Sequence, residues 1–206
     1  MLSKDILKRM VMEFQESELP ELIEREIGTR IKLDARQIVS IIGIRRSGKT
    51  YLMYSLIKKL LERGVERRRI LYIDFEDDRI TPFTTADFDR LLDAYFELYP
   101  GNVKGELYIF LDEIQNAIGW EKAVRRFHDR LDARIFITGS SSKMLSREIA
   151  TSLRGRALTY EITPFSFSEI LRAKGVRADA RTRFSASRFK VMEALRDYLE
   201  FGGFPE

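Results

Sequence analysis

Ile38-Val39-Ser40-Ile41-Ile42-Gly43-Ile44-Arg45-Arg46-Ser47-Gly48-Lys49-Thr50 is the stretch that decides the fold. Its first five residues are β-branched on both faces and stop at a glycine, the pattern of a strand buried on both sides. The next eight match G-x-x-x-x-G-K-[ST] at every defined position. Such a loop wraps phosphate oxygens with inward backbone N–H groups, which requires glycines free of Cβ clashes, and the helix after it adds its N-terminal dipole. Gly43, Ile44, Arg45, Arg46, Ser47, Gly48, Lys49, Thr50 and the following Tyr51 are therefore the candidate nucleotide-binding residues. Lys49 brings a point charge to the β- and γ-phosphates, and the Thr50 hydroxyl is one candidate magnesium ligand.

Working outward, Leu52, Met53, Leu56, Ile57, Leu60 and Leu61 recur at helical spacing and Gly64 stops the helix. Ile70-Leu71-Tyr72-Ile73 reads as a second strand, and Phe88, Leu91, Leu92, Tyr95 and Phe96 as a helix, with Thr84 and Asp87 at capping-box spacing before it. Leu107-Tyr108-Ile109-Phe110-Leu111 is a third strand. Trp120, Ala123, Val124, Phe127 and Leu131 mark a one-faced helix, and Arg134-Ile135-Phe136-Ile137-Thr138 a fourth strand. A short helix over 143–153 leads to a fifth strand near Leu158-Thr159-Tyr160-Glu161-Ile162. Strands alternating with helices predict right-handed crossovers and a parallel sheet covered on both faces, an α/β three-layer sandwich.

The boundaries read as a helical lead-in over 1–36, a phosphate-loop core over 37–165 and a helical extension over 166–206. The lead-in shows Leu7, Met10 and Phe14 on one helix and a second start at Pro20. In the extension, Ser166 and Glu169 form another capping box, and Phe189, Met192, Leu195 and Leu199 suggest a last helix. The ending Phe201-Gly202-Gly203-Phe204-Pro205-Glu206 suggests a piece of a longer protein.

At the end of the third strand stand Asp112 and Glu113. In an open parallel sheet that edge also carries the phosphate loop, so Asp112 is a candidate magnesium ligand and Glu113 a candidate general base for an attacking water. Composition narrows the rest. The 206 residues contain no cysteine and one histidine, His128, which excludes disulfides and thiolate sites and leaves no histidine cluster. Net charge is +4 from 36 basic and 32 acidic residues, too even to argue for nucleic acid. No apolar run approaches the roughly 20 residues of a membrane span, and the mixed charges of Met1-Leu2-Ser3-Lys4-Asp5 do not read as a signal peptide. A cytoplasmic protein is expected. Abundant Lys, Arg and Glu with few Asn and Gln also suggests a thermophilic source.

With both motifs in place, the chain resembles the AAA-plus branch of P-loop ATPases. More narrowly it is similar to archaeal and bacterial ATPases carrying G-x-R-R-x-G-K-T, L-D-E-[IV]-Q, I-T-G-S-S and G-R…P-F-S-F. These motifs stand here at 43–50, 111–115, 137–141, and Gly155-Arg156 with Pro164-Phe165-Ser166-Phe167. The resemblance covers about residues 20–206 and implies strand order 5-1-4-3-2, ATP or ADP as ligand with Mg2+, and the start of a helical lid. It implies a sensor at the end of the fourth strand, for which Ser140 matches best and Thr138 second. It also implies an arginine finger before the fifth strand, for which Arg156 is favoured over Arg154; acting in trans, the finger needs self-association or a protein partner. ATP over GTP rests on the resemblance and on the lack of an N-K-x-D guanine motif. The adenine pocket is expected near residues 27–33.

Other residues have plainer readings. Asp74, Glu76, Asp77 and Asp78 suit a solvated acidic loop, His128 an exposed helix face, Trp120 the core at a helix start, and Arg63, Arg67, Arg68 and Arg69 solvated surface.

Overall fold

The computed structural model describes residues 2–140, 151–153, 155–179, 182 and 187–204. Five parallel strands, β1 (Ile38–Ile42), β2 (Ile70–Asp74), β3 (Leu107–Asp112), β4 (Ala133–Gly139) and β5 (Ala157–Glu161), lie in the order β2-β3-β4-β1-β5. This is the expected 5-1-4-3-2 sheet. Every residue of β1 and β3 is buried, so both strands read as continuous apolar runs rather than alternations.

The pleat sends alternate residues to two cores. Ile38, Leu71, Ile73, Leu107, Ile109, Leu111, Ile135 and Ile137 pack with α1 (Lys4–Glu16), α3 (Thr85–Leu98) and α4 (Trp120–Arg130). Val39, Ile41, Tyr72, Tyr108, Phe110 and Phe136 pack with α2 (Lys49–Glu62). Helices thus cover both faces, and Phe110 and Phe136 stack across β3 and β4 with centroids 4.5 Å apart. Trp120 is a core residue at the start of α4, as expected.

Both capping boxes form, at Thr84 with Asp87 and at Ser166 with Glu169, the second opening α5 (Phe167–Ala173). The last helix, α6 (Ser187–Phe201), buries only Ala194 among its described side chains; Phe189, Met192 and Leu199 are exposed. The expected helix over 143–153 lies outside the described residues except for its last three. No helix of the described residues is long and apolar enough to cross a membrane.

Three expectations need correction. No α-helix starts at Pro20: the segment stays irregular up to a single 3-10 turn at Glu26–Thr29. Arg25 adopts extended angles (φ −88°, ψ 138°), which swing its side chain inward to buried partners instead of along a helix surface. Nor is Arg67 mere solvated surface. Its Nη2 donates to the Phe14 carbonyl at 2.8 Å and its guanidinium lies 5.0 Å from the Phe14 ring centroid, closing the end of α1. His128 is only partly exposed, its ring beside Asp129.

Candidate nucleotide site

β1 delivers the chain to Gly43 at the carboxyl edge of the sheet, where a side chain cannot fit. A Cβ there would lie 2.4 Å from the Ile162 carbonyl oxygen and 2.9 Å from Ser47 Oγ. The loop then turns through two left-handed residues, Arg46 (φ 64°) and Gly48 (φ 89°), before α2 begins at Lys49. The free N–H groups of that helix start and its dipole make the concavity an anion site. Lys49 is 4% exposed; its Nζ donates to the Ile44 carbonyl at 3.2 Å and stands 3.2 Å from Glu113 Oε1.

β3 supplies the opposing carboxylates. Asp112 is fully buried. Its Oδ1 accepts from the Thr138 hydroxyl and its Oδ2 from Tyr72 OH at 3.0 Å, and the Thr50 hydroxyl also bonds to it. Burial pushes the Asp112 carboxyl above its ordinary range against those hydrogen bonds. Glu113 takes a left-handed conformation (φ 48°), which turns its side chain back toward the loop. Its N–H donates to Thr138 Oγ1 at 2.9 Å. Its Oε2 accepts from Gln115 Nε2 at 2.6 Å and from the Ser140 N–H at 3.0 Å. Burial drives the Glu113 carboxyl up, but Gln115, Lys49 and Ser140 outweigh it, leaving the group below its usual range and ionised.

Of the two expected sensor positions, Thr138 has its hydroxyl committed to Asp112 and to the Glu113 N–H. Ser140 stands on the Glu113 carboxylate, its Oγ accepting from Gln115 at 3.2 Å. Asp74 departs from a plain solvated loop: it pairs in register with Asp112, and burial raises its carboxyl to about 6. Asp77 does cap a surface turn, beside Arg79.

A cavity of about 1020 Å³ opens in front of the loop. Its polar lining includes Lys49, Thr50, Glu113, Arg45 and Arg46, and its apolar lining Ile23, Tyr51, Phe165, Ile170, Ala173 and Phe204. The apolar lining therefore comes from Ile23, ahead of the expected 27–33 segment, from Tyr51 of α2, from Phe165 and α5, and from Phe204 after α6. Ile31 and Leu33, buried in the core below α2, are not available to it.

Arg156 does not join the site within one chain. Its carbonyl accepts from the Ile38 N–H at 2.7 Å, which fixes it at the amino edge of the sheet. A five-residue strand, roughly 16 Å long, separates that edge from the loop. Its Nε instead lies 3.3 Å from Asp129. Arg154 lies outside the described residues.

Three residues at the site carried no assigned role in the sequence. Gln115 was visible inside L-D-E-I-Q, but nothing there told that its amide holds Glu113. Tyr72 looked like one more strand residue, although its hydroxyl supports Asp112 and receives the Tyr54 hydroxyl at 3.3 Å. Arg25, in a segment with no motif, is buried against the loop.

A family model described as an AAA domain matches residues 35–171, well over half of the chain. An uncharacterised protein of Methanocaldococcus jannaschii is 40% identical over 187 residues, covering 90% of this chain and 39% of its own length. One from Haemophilus influenzae is 35% identical over 173 residues, covering 84% of this chain and 40% of its own. The chain thus spans about two fifths of the length of these curated relatives. Among solved structures, the Aeropyrum pernix ORC2 protein in its ADP form superposes with TM-score 0.53 at 14% identity, over 93% of this chain and 62% of that one. The same protein with ADPNP and ADP gives 0.51 at 15% identity, over 84% and 50%. At such identities the likeness is one of fold.

Proposed function

This chain belongs to the AAA domain family, a nucleotide-binding module, and from that premise we propose that it hydrolyses ATP with magnesium and couples the cycle to movement of attached domains or partners. The observation that carries the reading is the facing of Lys49 and Glu113 across the mouth of a glycine loop, at 3.2 Å, with Asp112 and Thr50 in contact beneath them.

Mg2+ fits this donor set, since it takes one or two hard protein oxygens alongside substrate phosphates and water; Thr50 and Asp112 would hold it. Bound there, the ion supplies charge neutralisation on the β- and γ-phosphates. In the reaction, Lys49 leaves Glu113 for the phosphates, and the freed carboxylate polarises a water in line with the γ-phosphorus. Ser140 orients that water. The water oxygen bonds to the γ-phosphorus as the bond to the bridging oxygen breaks; ADP keeps the electron pair, inorganic phosphate is released, and Glu113 takes the water's proton and passes it to solvent. Arg156 serves as a finger from a second copy or a partner, because its position at the amino edge puts it out of reach of its own loop.

A second reading, a slow nucleotide-operated switch, is favoured by the three donors on Glu113: Lys49, Gln115 and the Ser140 N–H hold the base away from water. Phosphate release from ATP and magnesium, with binding followed in parallel, separates the two. Turnover in wild type that disappears in Glu113→Gln, with binding retained, supports the ATPase. Binding with no turnover in either selects the switch, and normal turnover in Glu113→Gln removes Glu113 as the base.

A further inference from the structure

Arg25 is 5% exposed and every arm of its guanidinium is engaged. Its Nε donates to Glu169 Oε1 at 2.9 Å, its Nη1 to the Ser47 carbonyl at 2.9 Å and its Nη2 to the Thr163 carbonyl at 2.7 Å. The group lies 4.5 Å from the centroid of the Phe165 ring. A buried cation needs such compensation, but the choice of partners is specific: one carbonyl is the phosphate loop's own, and the carboxylate belongs to α5.

The Ser47–Gly48 peptide is trans, as only Thr81–Pro82 is cis among the described residues. In a planar trans peptide the C=O and N–H point in opposite directions. Holding the Ser47 carbonyl on Arg25 therefore turns the Gly48 N–H away from Arg25. Gly48 lines the cavity next to Lys49 and stands at the start of α2, where successive N–H groups form an anion nest.

We propose that Arg25 is a positioning residue for the nucleotide's phosphates: it fixes the Ser47–Gly48 peptide so that the loop presents its amide to the anion. Glu169 of α5 holds the guanidinium in place for this. The inference rests on the nucleotide-binding reading above and adds that the loop is braced from outside, by the segment before β1 and by α5. Any displacement of α5 then reaches the phosphate site through one side chain. Glu169 has a backbone role too, accepting from the N–H of Glu26 at 2.8 Å and of Ser166 at 2.9 Å, so α5 and the segment before β1 are tied at the same carboxylate.

The test is calorimetric binding of pyrophosphate and, separately, of adenosine to the 206-residue chain, in wild type, Arg25→Lys and Glu169→Gln. Lysine keeps the charge but loses the planar fork. The expected result is a fall of about tenfold or more in pyrophosphate affinity for Arg25→Lys with a clearly smaller loss for adenosine, and a smaller difference of the same kind for Glu169→Gln. A merely structural role would weaken both probes together. A pyrophosphate loss no larger than the adenosine loss overturns the proposal, and Glu169→Gln carries the comparison if Arg25→Lys does not fold. Wild type binding neither pyrophosphate nor ADP would instead sink the nucleotide reading itself.

Discussion

Gly43 and Glu113 show how much of this site is decided by single backbone positions. At Gly43 the obstacle to a side chain is the Ile162 carbonyl, a backbone atom that cannot rotate away. Gly43→Ala should cost about 2 kcal/mol or more through forced shifts of the loop, read as a lower urea midpoint; a loss below about 0.5 kcal/mol would show that the loop relaxes freely. At Glu113 the left-handed backbone and three donors set the carboxylate before any ligand arrives. Removing one donor tests whether that restraint limits the reaction. Gln115→Ala should leave ATP binding within about twofold and change only the turnover step. A rise in rate would mark Gln115 as a restraint on the base, a fall would mark it as its support, and an equal fall in affinity would refute a role confined to Glu113. The glycine loop and the acidic pair were legible because fixed spacing encodes them. Gln115, Tyr72 and Arg25 were not, because their roles depend on which distant atoms the fold brings within 3 Å or so of them.

Elements show the same division between period and docking. The spacing of Leu7, Met10 and Phe14 predicts a helix but not its place, and the fold sets α1 against α3 and along the exposed edge of β2. There Phe14 stacks on Tyr72 with centroids 5.2 Å apart, and Gln15 Nε2 donates to the Ile70 carbonyl at 2.8 Å, so the helix both buries and satisfies an edge strand. Leu7→Ala, at a fully buried position, should cost about 3 kcal/mol. Leu199→Ala on α6, at 76% exposure, should change stability by less than about 0.5 kcal/mol. Equal effects in denaturation would contradict the described packing of both helices. Pro20 misled for a related reason: it sits where a helix could start, but the inward pull on Arg25 keeps the segment extended. The other end of that pull is titratable. Burial raises the Glu169 carboxyl, while Arg25 and the Glu26 and Ser166 N–H groups lower it further, for a net value below the ordinary 4.5. The stability it brings is therefore present above about pH 4.5 and is lost as pH falls below it. Urea midpoints measured downward from pH 6 should drop less steeply in Glu169→Gln than in wild type; parallel curves would deny the pair its contribution.

Across the whole molecule the parallel sheet separates two edges with different duties. The carboxyl edge gathers Lys49, Thr50 and Glu113 at one cavity, with Asp112 and Ser140 bonded behind them, while the amino edge carries Arg156 roughly 16 Å away. No rotamer of an arginine spans that distance through a packed sheet, so a proposed finger at Arg156 can only serve a neighbouring molecule. It is already partly exposed and, among the described residues, its ion pair is with the surface residue Asp129, an interaction of the weak, solvent-screened kind that a better partner can displace. This makes a prediction that separates an assembled ATPase from a solitary one. Turnover per chain should rise with protein concentration in wild type and stay flat in Arg156→Ala, with ATP affinity the same in both. Mixing an excess of Glu113→Gln chains, which keep Arg156 but lack the base, with Arg156→Ala chains should restore activity, because each supplies the group the other lacks. Concentration-independent turnover, or failure of the mixture to recover any rate above its components, would remove Arg156 from the reaction and leave the amino edge without a part in it.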